Sequence, residues 1–291
     1  MTFLHKLISQ WGQGKFLCIG LDPDLEKIPP SLKEQSRTAA PTPGDTVQEF
    51  INGIVDATAD IACAYKPNIA FYEKWGHTGL AVLRENIKHI RSVAPLVQVI
   101  LDFKRADIGN SNVGYVTEAF EYFGVDAVTV SPYLGQEAVQ PFLDQKDKGI
   151  FVLCRTSNPG AGEFQDVPVA IGMGGRITVP LYEVVAAKVA QNWNANGNCG
   201  LVVGATAPKE LAKIRSIQAV DSLPILIPGI GAQGGSLEES VRAGKNSRGQ
   251  GIIVNISREA IYASSGTDYA EAARDVALMR SEQIRNALET T

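Results

Sequence analysis

The sequence predicts a closed (β/α)8 barrel, and three observations point to it. Short apolar runs recur along the whole chain. Longer segments whose apolar residues have helical spacing alternate with them. The runs number about eight, the count that closes a parallel barrel. They lie at 16–22, 61–68, 97–104, 127–131, 149–156, 199–205, 224–229 and 251–257. Predicted helices fill the intervals at 46–59, 78–93, 111–123, 136–145, 178–194, 208–220 and 237–243, and a last one follows at 269–288. An open doubly wound sheet shares this alternation and is the runner-up. Two segments break the rhythm: 23–45 is rich in proline and polar residues, and 159–176 is rich in glycine. Both follow strands, so in a barrel both sit on the catalytic face, as lids, substrate contacts or neutral insertions.

The chain has 291 residues, 45% of them hydrophobic, enough to build one large core, so a single domain over 1–291 is expected. The net charge is −4, which argues against nucleic acid as a partner, since that needs clustered lysine and arginine. Cys18, Cys63, Cys154 and Cys199 lie far apart in apolar runs, with no CxxC pair. They read as small core residues in a reduced, cytoplasmic protein. Residues 1–11 show no signal-peptide pattern. No run approaches the ~18 apolar residues of a membrane span, so no membrane partner is expected.

The third run carries charge where a core strand should not. In Val97-Gln98-Val99-Ile100-Leu101-Asp102-Phe103-Lys104, alternation puts Gln98, Ile100, Asp102 and Lys104 on one face, toward the barrel interior. Asp107 follows in the loop. The first run ends at Asp22 and the second at Lys66. Three successive strands thus deliver carboxylates and ammonium groups to one rim. Burying them is costly unless they pair, and pairing fixes a protonated lysine in place. A plain structural ion pair is the alternative for any one of them; the convergence of all four favours catalysis.

The opposite side of the rim suits an anion. Pro228-Gly229-Ile230-Gly231-Ala232-Gln233-Gly234-Gly235 follows the seventh run, and a glycine-rich loop lets backbone N–H groups approach a phosphate. The eighth run ends at Ser257-Arg258, and loops after strands seven and eight form the usual phosphate site of this fold. Ser157 stands in an ordinary turn, Ser157-Asn158-Pro159-Gly160, after the fifth run.

Together these residues resemble the orotidine 5′-phosphate decarboxylase family, most closely its longer-chain branch. Asp102-Phe103-Lys104-Arg105-Ala106-Asp107-Ile108 matches the central DxKxxDI signature. Gly20-Leu21-Asp22-Pro23-Asp24, Lys66-Pro67-Asn68, Thr156-Ser157-Asn158-Pro159-Gly160 and the glycine-rich loop match its other blocks in order. The resemblance implies a cofactor-free carboxy-lyase of de novo pyrimidine (UMP) biosynthesis, acting on orotidine 5′-phosphate. It implies that Lys104 protonates C6, that Asp102 lies beside the substrate carboxylate, and that Lys66 and Asp107 complete the charged network. It further implies that Asp22 holds a ribose hydroxyl, that Ser157 touches the pyrimidine edge, and that Pro228, Gln233 and Arg258 bind at the phosphate end. Asp107 and Ser111 would enter the site from the other subunit of a homodimer. The chain departs from the common pattern with Ser111 for threonine, Gly109 for proline, and Asn255-Ile256-Ser257 before Arg258 where compact members place a glycine.

Three rivals share parts of this pattern. A Mg²⁺-dependent sugar-phosphate decarboxylase of the same superfamily has an acid where Lys66 stands. A Schiff-base aldolase needs a neutral lysine, whereas Lys104 is flanked by two carboxylates. A non-catalytic phosphate-sugar binding protein has no use for a charged array far from the phosphate.

Overall fold

The computed structural model describes residues 1–34, 42–172, 174, 177–231 and 234–289. Its strands are β1 (Leu17–Leu21), β2 (Ala64–Pro67), β3 (Gln98–Arg105), β4 (Ala127–Val130), β5 (Gly149–Arg155), β6 (Pro168–Ile171), β7 (Ile177–Pro180), β8 (Cys199–Val203), β9 (Ile225–Ile227) and β10 (Ile252–Ile256). Eight of them close into a barrel in the order β1-β10-β9-β8-β5-β4-β3-β2, and the pairs run parallel. Each of the eight predicted runs contains or overlaps one barrel strand. The open sheet is ruled out because each of the eight strands pairs with two others, leaving no edge in the barrel. Strands buried on both faces read as near-continuous apolar runs, and Leu17, Cys18, Ile19 and Leu21 of β1 are all buried.

The structure corrects the sequence reading in five places. The glycine-rich segment 159–176 is not a plain loop: it holds the short helix Gly162–Gln165, then β6, which pairs with β7 as a separate antiparallel hairpin. The helix predicted from 178 begins only at Leu181, because Ile177, Thr178 and Val179 are β-branched and extended in β7, and Pro180 caps the helix. The helix predicted from 46 begins at Pro43, where Thr42 and Asp45 form a reciprocal capping box. The segment before it contains the helix Pro30–Glu34; residues 35–41 lie outside the described residues. An unpredicted helix, Phe3–Gly12, underlies the barrel's amino end. Its Phe3 meets the Phe151 ring edge-on at 5.6 Å, and Trp11 donates to the Ile252 carbonyl at 2.9 Å.

One buried cation ties the amino ends of β9 and β10 to the helix Pro208–Arg215. Arg215 donates to the carbonyls of Val220 (2.8 Å), Leu223 (3.0 Å), Gly244 (2.7 Å) and Gly251 (2.9 Å). Burial lowers its pKa to about 10, and nearby Asp221 opposes the shift. Arg215→Met should leave these buried carbonyls without a donor and cost at least about 3 kcal/mol, read by urea unfolding. A loss under about 1 kcal/mol would show that water or neighbouring amides replace the guanidinium.

Candidate active site

The strand ends open into a cavity of about 770 Å³. Asp22 (just after β1), Lys66 (β2), Asp102 and Lys104 (β3), Ser157 (after β5), Pro228 (after β9) and Arg258 (after β10) all line it. Parallel pairing aligns the first of these: Gly20 lies beside Lys66, and Asn68 bridges to Asp102.

Asp102 is the hub. Its Oδ2 accepts from Lys66 Nζ at 3.0 Å, and its Oδ1 accepts from Lys104 Nζ at 2.7 Å and Thr129 Oγ1 at 2.8 Å. Asp102 and Lys66 are both buried. Burial pushes the Asp102 carboxyl up, but the charges of Lys66 and Lys104 more than offset it and hold the group well below the usual carboxylate range. Burial likewise works against the Lys66 ammonium, and Asp102 and Asp22 reverse the effect, raising it above its ordinary value. Beneath them Cys18 is pushed up to about 12, first by burial, so its thiol stays neutral.

Lys104 differs from its partners in exposure. Its side chain is 48% exposed, so its ammonium faces the open cavity while bonded to Asp102. Its backbone has φ of 48°, the only positive value at a non-glycine among the described residues. The β3/β4 register shifts between Leu101 and Arg105, and the Lys104 amide donates to Thr129 Oγ1 at 3.1 Å. A left-handed lysine is strained, and such strain persists where the surroundings over-determine it.

At the first strand, Asp22 Oδ2 accepts from Ser257 Oγ at 2.8 Å, while its Oδ1 is buried without a protein partner. An unsatisfied carboxylate oxygen facing a cavity is an acceptor for a ligand hydroxyl. This approach needs Gly20, because a Cβ there would come 2.7 Å from Ser257 Cβ. Tyr262 fixes the same corner: its hydroxyl accepts from the Asp24 amide at 2.6 Å and donates to the Asp22 carbonyl at 3.1 Å.

Across the cavity, Pro228, Gly229, Ile230 and Arg258 form the other wall. Gly229 and Gly231 have φ of 98° and 73°, values that glycine adopts without strain. Gln233 lies outside the described residues. Arg258 opens the short helix Arg258–Ile261 just past β10, not the strand end itself.

Two predicted residues are elsewhere. Asp107 is not among the cavity residues; its Oδ1 accepts from the Ile108 amide at 2.7 Å. Ser111 is exposed on the helix Gly109–Val116, near the exposed Ile108 and Val113. Conversely, Lys27, Asn68, Thr129, Gln165, Asn255 and Glu259 line the cavity without having been singled out. Thr129 and Asn255 carried a readable signal, a lone polar side chain in an apolar strand. Of the others, Lys27 sits in a turn, Asn68 just past β2, and Gln165 and Glu259 in four-residue helices too short for a period to assign a direction.

A buried carboxylate held between two lysines, facing a glycine-rich anion loop, is a specific arrangement. Residues 15–276 match the model of the orotidine 5′-phosphate decarboxylase / HUMPS family. This chain belongs to that family. It is 45% identical over 285 residues to the orotidine 5′-phosphate decarboxylase of Azoarcus sp. (strain BH72), covering 98% of each chain. It is 46% identical over 287 residues to that of Cupriavidus necator, again covering 98% of each. Among solved structures it resembles the Leishmania donovani OMP decarboxylase (36% identity, TM-score 0.79, covering 98% of this chain and 99% of that one). It also resembles Leishmania donovani UMP synthase (37% identity, TM-score 0.81), covering 98% of this chain and 57% of that longer one. Among the described residues no helix is long and apolar enough to cross a membrane.

The charged hub makes a stability prediction. Asp102→Asn removes the counter-charge of buried Lys66 and should cost about 3–5 kcal/mol in urea unfolding at neutral pH. In the unmodified protein the lowered Asp102 stabilises above its unfolded value near ~4, and that contribution fades as pH falls through it. The raised Lys66 stabilises below its unfolded value near ~10.4, and its contribution fades above. The hub's contribution should therefore be flat between these limits. In Asp102→Asn the buried Lys66 loses the charge that raises it most, so the penalty should shrink as pH rises toward ~10.4; a penalty that grows over that range would contradict this.

Proposed function

We propose that this chain is a carboxy-lyase that converts orotidine 5′-phosphate into UMP and CO₂, in de novo pyrimidine biosynthesis, without a cofactor. The observation that carries the reading is the Lys66–Asp102–Lys104 array in one cavity with Arg258 and the glycine-rich loop. The family and the names of its relatives support it.

The chemistry follows from the array. The bond from C6 to the carboxylate breaks, its electron pair stays on C6, and CO₂ leaves. No carbonyl is positioned to delocalise that pair. An ammonium fixed beforehand favours the developing charge without reorganising. Lys104 takes this role, because its Nζ faces the cavity, and it then transfers a proton to C6. Asp102 orients Lys104 and crowds the substrate carboxylate. Lys66 keeps Asp102 ionised. Asp22, on the cavity wall, holds a ribose hydroxyl. Ser157 contacts the pyrimidine edge, and Pro228, Gln233 and Arg258 hold the phosphate end. Phosphate contacts far from C6 supply binding energy that is realised at the transition state.

Metal-assisted chemistry fits these residues poorly. Lys66, Lys104 and Thr129 already occupy the Asp102 oxygens, and two ammonium groups repel a divalent cation. The Mg²⁺-dependent rival is thereby disfavoured. We further propose that the chain forms one catalytic domain, acts in the cytoplasm, and pairs as a homodimer in which Asp107 and Ser111 complete the partner's site. Their place outside their own cavity supports this, as do exposed Ile108 and Val113 beside them.

Purified protein treated with EDTA should convert orotidylate to UMP, followed by loss of orotidylate absorbance; activity that vanishes with chelator and returns with Mg²⁺ would favour the metal-dependent rival. Lys104→Ala should abolish turnover while substrate binding largely survives, and near-normal kcat would refute the assigned role.

The shared site has its own test. Lys104→Ala and Asp107→Ala chains, each nearly inactive, are mixed after dissociation and reassociation. One site of the mixed dimer collects both lesions and the other none, so about a quarter of wild-type activity should return. No recovery in a verified mixed dimer would assign Asp107 to its own chain.

A further inference from the structure

Glu259 is out of keeping with the wall it lines. It follows Arg258 directly and faces the same cavity. A bare carboxylate at that place would repel a phosphate. It is not bare: its Oε2 accepts from Arg280 Nη2 at 2.7 Å, across to the long helix Tyr269–Glu289. Both side chains are about four-fifths buried, at 22% and 21% exposure. Arg280 Nη1 also donates to Gln283 Oε1 at 2.9 Å.

The same carboxylate touches the anion loop. A Cβ built on Gly231 would come 2.5 Å from Glu259 Oε2 and 3.3 Å from Oε1, so the loop's backbone lies directly on the carboxylate. Gly231 also has φ of 73°, where a side chain is strained. Glu259 Oε1 and Arg280 Nε are both buried without a protein partner, so the pair is held by one contact and not as a closed fork.

We propose that Glu259 and Arg280 are positioning residues for the phosphate end of the site. Glu259 props the glycine-rich loop at Gly231, and Arg280 cancels its charge so that an anion can bind beside it. This rests on the proposed phosphate site at Arg258 and the loop. The pair acts on capture of the phosphate, not on the atoms at C6. A nearby ion pair of the same helix provides the contrast. Arg274 binds Asp60 through Nη1 and Nη2 at 2.6 and 2.8 Å, and neither residue lines the cavity.

Four variants separate positioning from simple structural support: Arg280→Met, Arg280→Lys, Arg280→Met combined with Glu259→Gln, and Arg274→Met. For each, KM and kcat for orotidylate are measured, together with direct calorimetric binding of inorganic phosphate. Arg280→Met exposes the Glu259 charge, and should raise KM and weaken phosphate binding roughly tenfold, with kcat changed less than about threefold. Arg280→Lys keeps the charge and should stay within about threefold of wild type. Adding Glu259→Gln to Arg280→Met should recover most of the loss, because the repelling charge is gone. Arg274→Met should lower the melting temperature without moving KM. Should Arg280→Met fail to fold, Arg280→Gln is read in the same way. Unchanged KM and phosphate binding in the neutral Arg280 variant would overturn the proposal, as would a double variant no better than the single one. If the wild-type protein does not turn over orotidylate, the proposed reaction falls. Phosphate binding then decides the role of the pair, with a loss in Arg280→Met supporting it and no loss refuting it.

Discussion

An ionised carboxylate inside a barrel must be compensated from within, and Asp102 sets that condition for the whole cavity. Its two oxygens take hydrogen bonds from Lys66, Lys104 and Thr129, which lie on three adjacent strands. None of these partners can move without leaving a buried charge uncovered, which costs several kcal/mol. The ends of β2, β3 and β4 are therefore fixed to one another by electrostatics as well as by the sheet ladder. The positive φ of Lys104 is tolerated because the ion pair and the Thr129 hydroxyl hold that residue from both sides.

The two ends of the cavity are built differently. The charged end stands on strands, whose side-chain directions are set by pairing. The opposite end is made of a loop with two left-handed glycines and the first residue of a short helix. Rigid placement suits a group that must meet one atom of a substrate, while backbone amides on a loop suit a diffuse, multiply charged group. Glu259 and Gly231 show that the loop still has a hard backing on one side.

How far the sequence revealed this follows the same division. Asp102, Lys104 and Lys66 were legible because alternation along a strand gives each side chain a direction, and a charge inside an apolar run has few places to go. Asp22 was legible as the residue that follows the first strand, whereas Arg258 belongs to the short helix past β10. The hairpin of β6 and β7 was not, although Val169, Ile171, Ile177 and Val179 do alternate; the glycines between them resembled a loop, and Thr178 resembled a helix start. The helix Phe3–Gly12 was missed although Phe3, Leu4, Leu7, Ile8 and Trp11 recur at helical spacing; that segment was weighed only as a leader or span, and one short amphipathic helix is held by packing against the barrel. Lys27, Gln165 and Glu259 line the cavity from a turn and two four-residue helices, where no period fixes a direction. Whether Asp107 serves its own cavity is a matter of assembly, which one chain's spacing does not encode.

The pairing of β1 with β10 also governs how the protein comes into being. These strands lie at opposite ends of the sequence, yet Leu17 to Ile19 align with Val254 to Ile256. On the ribosome, a chain that has emerged only as far as β9 has an open β1 edge and no Ser257 or Tyr262 to hold Asp22. The Lys66–Asp102–Lys104 hub is already encoded by then, so its charges wait in a half-formed barrel for more than a hundred residues of synthesis. The closing contact is thus long-range in sequence and cannot form before β10 has been synthesised. The first and last strands act as the two halves of a clasp, and the corner that holds Asp22 is formed where they meet.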